Sequence, residues 1–132
     1  MVDYCFKGMP RYILIIFLIV IFNTKSYSFE LIMIDSKNCV YCKKFKNEVM
    51  QEFKIPNLPI VIIDQADQPN WFAKAIKQNI IKPFRGTPTF VIWNDVEKYE
   101  VDRIYGYVNK DTFYKQLKEI FVRFLNEKDL SS

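Results

Sequence analysis

The chain has 132 residues and a net charge of +4; half of the residues are hydrophobic and 17% are aromatic. That is enough for one packed domain and too apolar for a disordered chain. The charge is mild, with no basic stripe and no nucleic-acid-binding motif, so a nucleic-acid partner is not expected. With no His and only three Cys, no closed four-ligand zinc centre is expected.

Tyr12 to Phe22 is an unbroken apolar run of 11 residues, shorter than the roughly 20 that span a bilayer as a helix. Lys7 and Arg11 precede it, and Ser26-Tyr27-Ser28 follows. A charged, an apolar and a small-residue region in that order predict a secretory signal peptide over residues 1–28, cleaved after Ser28, and one domain over 29–132. An uncleaved N-terminal anchor and a buried core strand are the other readings. Met9, directly before Pro10-Arg11, offers a second start. Cys5 lies ahead of the apolar run, not after it where a lipid-attachment cysteine would stand. Export would put Cys39 and Cys42 in an oxidising compartment.

Phe29 to Asp35 reads as a first strand, mostly apolar and so buried on both faces. Ser36-Lys37-Asn38 is a turn, with Asn38 or Ser36 as the candidate N-cap of a helix over Cys39 to Phe53. Cys42, Phe45, Val49 and Phe53 form its inward stripe, which buries Cys42 and leaves Cys39 outward. Lys43, Lys44 and Lys46 read as a solvated face, with a lesser role in lowering the pKa of a nearby thiol.

Ile55-Pro56-Asn57-Leu58-Pro59 breaks the helix, and Ile60 to Ile63 is a second buried strand. Strand, helix, strand at these lengths predicts a parallel pair with a right-handed crossover. Asp67 and Pro69 open a second helix with Trp71, Phe72, Ala75 and Ile76 on its apolar face; Trp71 either packs or borders the site. Lys82 to Pro88 is a loop rich in breakers. Thr89 to Trp93 and Glu97 to Tyr105 read as an antiparallel hairpin turned by Asn94-Asp95-Val96. Gly106 ends the hairpin. Asn109 caps a last helix that runs to Glu127 and buries Phe113, Leu117, Ile120, Phe121 and Phe124. The tail, Asp129 to Ser132, is expected to fray.

Cys39-Val40-Tyr41-Cys42 stands where the first strand passes into the first helix. Two cysteines three apart at such a junction read as a redox motif. Free N–H groups and the helix dipole there favour a thiolate over a thiol, most of all at Cys39, and Cys42 lies one turn inside. Half of a zinc site and a plain structural bridge are the alternatives. A bridge over so short a loop would stabilise little, because the gain grows with loop length.

The Cys-x-x-Cys, Thr87-Pro88-Thr89 ahead of a hairpin, Gly106 at its end and an amphipathic last helix together resemble the thioredoxin superfamily across residues 29–132. The resemblance implies an α/β thioredoxin-like fold: a four-stranded mixed sheet in the order β-α-β-α-β-β-α, with helices on both faces. It implies that Pro88 is cis and faces the Cys39–Cys42 pair; an ordinary trans proline opening a strand is the alternative. It also implies Val40, Tyr41, Thr87 and Pro88 as substrate-binding residues around the catalytic Cys39 and Cys42. A substrate segment would then pair with the Thr87 backbone as an added strand.

The chain departs from standard cytosolic thioredoxins. Asn38 stands where they carry Trp, and Val40-Tyr41 where they carry Gly-Pro. Met33 holds the place of their buried acid, with Asp35 nearer the cysteines. Tyr41 is similar to the residue there in glutaredoxins and periplasmic disulfide isomerases. The compact layout and Pro83-Phe84-Arg85-Gly86-Thr87-Pro88-Thr89-Phe90 look most like small exported thioredoxins linked to bacterial sulfur oxidation.

What this implies is a periplasmic thiol–disulfide oxidoreductase reducing disulfides of exported, cysteine-containing proteins. It would be monomeric, need no cofactor or metal, and be recharged by a membrane thiol–disulfide electron donor. The same chemistry run backwards, as a disulfide donor, is the second reading. A redox-inert or sensing module that binds partners through the Thr87-Pro88 face is the third.

Overall fold

The structure, a computed structural model, describes residues 28–132. Residues 1–27 of the predicted signal peptide lie outside the described residues. The elements are β1 (Phe29–Asp35), α1 (Val40–Phe45) with a π-helical continuation over Lys46–Met50, β2 (Ile60–Asp64), α2 (Asn70–Lys77), β3 (Thr89–Asn94), β4 (Tyr99–Tyr105) and α3 (Lys110–Ser131).

The four strands form one sheet in the order β2-β1-β3-β4. β1 and β2 run parallel, and the other two pairings are antiparallel. The unbroken apolar runs in β1 and β3 follow from this central placement. Successive side chains in a strand point to opposite faces, so a strand covered on both sides must be apolar at every position. Leu31, Met33, Phe90 and Ile92 enter one core with Phe45, Val49, Phe113, Leu117 and Ile120 from α1, its continuation and α3. Their neighbours Ile32, Ile34, Val91 and Trp93 enter a second core with Phe72 and Ala75 from α2. The mixed sheet with helices on both faces is the fold read from the sequence.

Three element boundaries differ from the sequence reading. The first helix is α-helical only to Phe45 and π-helical from Lys46 to Met50. Lys46 pairs with Asp35 from this wider turn, and Glu48 accepts a hydrogen bond from Tyr107. A stripe of apolar residues cannot distinguish the two helix types over one turn. β4 begins at Tyr99, not Glu97, because the turn is longer: Asn94 Oδ1 accepts from the N–H groups of Val96 and Glu97, and Lys98 takes φ 58°. The expected frayed tail is helical to Ser131, with Lys128 in the last turn, where a cation suits the helix dipole. Asn109 caps α3 as expected, its side chain accepting from Thr112 N–H at 2.9 Å.

Trp71 packs and does not border the cysteines. Its ring meets Phe72 and lies 6.0 Å from Trp93, which pairs with Glu30 at the start of β1. The cysteines follow the other end of that strand.

Candidate active site

The sheet register builds the site. Ile34, near the end of β1, pairs with Thr89 at the start of β3. The turn leading to Cys39 therefore stands beside the residues leading into β3, Thr87 and Pro88.

Cys39 itself is the N-cap of α1, in place of Asn38 or Ser36. Its backbone is extended and its sulfur accepts from Cys42 N–H at 3.1 Å. A sulfur here satisfies one of the orphan donors at the helix start, as a Ser or Asn oxygen would. Cys39 N–H donates to the Ser36 carbonyl at 3.3 Å, closing the turn. The two sulfurs are joined in a disulfide, with Cα atoms 5.1 Å apart.

Cys39 is 8% exposed and Cys42 1%. The order agrees with the sequence reading, but Cys39 is not outward. Capping turns its sulfur across the helix end toward Cys42, into the core that holds Met33, Phe45 and Phe90. The exposed surface at the dithiol is Val40 at 72% and Tyr41 at 58%. Met33 is fully buried beside the pair and brings no acid. Asp35 faces Lys46 and accepts Ser36 N–H at 2.8 Å. Lys43 and Lys44 are exposed and Lys46 half-buried.

The Thr87–Pro88 peptide is cis. Thr87 is half-buried and Pro88 buried. Thr87 Oγ1 and Ser36 Oγ share a hydrogen bond of 2.8 Å, so one hydroxyl pair joins the turn before Cys39 to the loop before β3. Gly86 within this loop and Gly106 beside it take φ +79° and +72°, values that residues with a side chain rarely adopt. Gly106 N–H donates to the Pro88 carbonyl at 2.8 Å, and Thr89 Oγ1 donates to the Gly86 carbonyl at 2.9 Å.

Two features escaped the sequence reading. Ser36 reads from the sequence as a turn residue and candidate cap, yet it bridges the two halves of the site. Tyr107 lies in the same core as both cysteines, its ring 5.3 Å from that of Phe45 and its hydroxyl donating to Glu48. Burial, with Glu48 beside it, raises the Tyr107 phenol above its ordinary range. Nothing in the sequence pairs Ser36 with Thr87, 51 residues away. An aromatic residue directly after the hairpin-ending glycine was the one available signal for Tyr107. Among the described residues, no group of three or more acidic or cysteine side chains is placed to hold a metal ion.

The pattern of the thioredoxin-like domain matches residues 21–121. The chain belongs to the thioredoxin-like family. No curated protein matches it. Among solved structures, the periplasmic thioredoxin SoxS from Paracoccus pantotrophus, in its reduced form, shares 22% identity with a TM-score of 0.57, over 70% of this chain and 95% of that one. The oxidised C-terminal domain of DsbD from Neisseria meningitidis shares 12% identity, TM-score 0.48, over 70% and 79%. A thioredoxin from Thermus thermophilus shares 22%, TM-score 0.47, over 73% and 75%. The match to SoxS shows the same fold. A thioredoxin-like domain whose paired cysteines close at a helix start is a thiol–disulfide oxidoreductase.

Proposed function

We propose that this oxidoreductase works in the periplasm as a reductant of disulfides in exported, cysteine-containing proteins. The observation that carries the assignment of roles is the Cys39 sulfur. It sits at the helix N-terminus, is the more accessible of the pair, and stands next to the turn tied to Thr87.

In the reduced enzyme, the N–H groups of the first turn stabilise negative charge on that sulfur. Cys39 thiolate attacks one sulfur of the substrate disulfide. The substrate S–S bond breaks, and its other sulfur leaves as a thiolate that takes up the proton Cys42 gives up. Cys42, having lost its proton, then attacks Cys39 Sγ. The mixed disulfide breaks, the second substrate sulfur leaves, and Cys39–Cys42 closes. Two electrons have passed from the enzyme dithiol to the substrate. Val40 and Tyr41 offer apolar surface beside Cys39, and the Thr87–Pro88 backbone receives the substrate chain.

The cycle needs two electrons back. The periplasm holds no reducing thiol pool, so a membrane thiol–disulfide donor supplies them. Export rests on the signal predicted over residues 1–28 and is in keeping with the periplasmic origin of SoxS. No helix of the described residues is long and apolar enough to cross a membrane.

The deciding measurement is the reduction potential of the Cys39–Cys42 couple. A value near about −270 mV fits a reductant, and one near about −120 mV makes the protein a disulfide donor instead. The Cys42→Ser variant tests the roles of the two sulfurs. It is expected to lose turnover and to accumulate mixed disulfides on Cys39; a binding module would trap none.

A further inference from the structure

The loop from Lys82 to Pro88 carries the substrate-facing Thr87 and Pro88. Its start is gripped by a pair of charged side chains from β4, an edge strand of the sheet. Glu100 and Arg103 form a salt bridge, and each side chain is only 4% exposed. Arg103 Nε and Nη2 donate to the two Glu100 carboxylate oxygens. Its Nη2 also donates to the Lys82 carbonyl at 2.8 Å, and its Nη1 to the Pro83 carbonyl at 3.2 Å. Glu100 Oε2 accepts Lys82 N–H at 2.9 Å. Three backbone groups of two adjacent loop residues thus end on one ion pair.

Such a pair is an expensive way to stabilise a fold. Desolvating two charges offsets most of their attraction, and apolar residues of similar volume stabilise as well or better. What apolar side chains cannot supply is direction. A planar guanidinium locked to a carboxylate presents its remaining donors at fixed angles. Here those donors point at carbonyls in a stretch whose Pro83 lacks an N–H to offer a neighbouring strand. The far end of the loop is tied through Ser36, Thr89 and Gly106.

We propose that the Glu100–Arg103 pair is a positioning device for substrate. From β4 it holds the start of the loop and so sets where the Thr87–Pro88 backbone stands beside Cys39. This rests on the reading that the Thr87–Pro88 backbone receives the substrate chain. Neither residue touches the reacting sulfurs. Small disulfides need only the Cys39–Cys42 dithiol, whereas a protein disulfide needs the loop as well, so the pair governs the preference between them.

The test compares the parent protein, the double variant Glu100→Leu/Arg103→Met, Arg103→Lys and Pro88→Ala. Each is assayed on insulin, as a protein disulfide, and on Ellman's reagent, as a small one. The readout is the ratio of the two kcat/KM values. The double variant replaces the pair with apolar bulk and is expected to lower the ratio about tenfold through KM for insulin, the order expected of a modest misplacement. Arg103→Lys, which keeps the charge without the fork, is expected to fall between. If Pro88→Ala lowers the ratio but the double variant keeps the parent's, the loop receives substrate and the pair does not position it. If neither variant lowers it, the reading of the loop fails and the proposal fails with it. Should the double variant not fold, Glu100→Gln replaces it, with amide exchange at Lys82 as the readout. Faster exchange together with a lowered ratio supports the proposal, and parent-like values of either overturn it.

Discussion

The two loops that meet at the dithiol are held by opposite means. The turn before Cys39 is tied by its own neighbours: Ser36 N–H to Asp35, Cys39 N–H to Ser36, Cys42 N–H to the Cys39 sulfur, Lys43 N–H to the Cys39 carbonyl. The loop before β3 is tied largely from afar, by Glu100, Arg103, Ser36 and the N–H of Gly106, between 18 and 51 residues away. The attacking sulfur is thus placed by local chemistry, and the surface facing it by the assembled sheet. Damage to β4 should therefore disturb the second loop and leave the first in place.

The sharpest way to break that contrast is Arg103→Met alone. It strands Glu100 as a buried charge without its partner, a change that costs about 3–5 kcal/mol. The double variant Glu100→Leu/Arg103→Met should recover most of that loss, since the burden is the unpaired charge. Denaturant unfolding of the two variants checks this; a double variant as unstable as the single one would mean that the pair itself stabilises the fold.

The same contrast explains what could be read from the sequence. The sheet was legible because the apolar runs of β1 and β3 report burial on two faces, and β2 follows a helix of the right length. The dithiol was legible because its spacing and its strand-to-helix context lie within a few residues. The cap at Cys39 was missed because Asn and Ser are commoner caps and both stood nearby. Ser36 with Thr87, and Arg103 with Lys82 and Pro83, had no local signal: each contact exists only after β1, β3 and β4 have paired. Arg103 in particular reads as an ordinary charge on a strand that alternates, and its burial depends on the loop folding over it.

A smaller effect is expected at the hydroxyl pair that joins the two loops. Ser36→Ala removes the hydroxyl bridge to Thr87 and is expected to cost about 1 kcal/mol, the usual net worth of such a hydrogen bond. The backbone bond from Cys39 N–H to the Ser36 carbonyl survives the change, so the cysteine turn should keep its geometry. Thermal unfolding gives the cost. Reactivity of Cys39 in the reduced protein toward iodoacetamide shows whether the turn is intact: a rate close to the parent's is expected, and a large change would mean that the turn depends on the loop.

The smallest effect at neutral pH belongs to Tyr107, which lies next to Gly106 and bonds Glu48 on the π-helical turn. Glu48 is partly exposed, so water can replace the phenol, and Tyr107→Phe should cost less than about 1 kcal/mol. The pH dependence is more informative than the size. Burial and Glu48 raise the phenol's pKa above its ordinary 10.0. The folded state then holds this proton where the unfolded chain has lost it. The contribution is fully present below pH 10.0 and falls as pH rises beyond it. Tyr107→Phe removes this source of alkaline loss, so the variant should lose stability less steeply than the parent above pH 10.0. Unfolding curves recorded on both sides of that pH decide the matter. Parallel alkaline limbs would mean that the Tyr107 hydroxyl is hydrated in solution, and that the residue is held by its ring packed on Phe45 and Phe113.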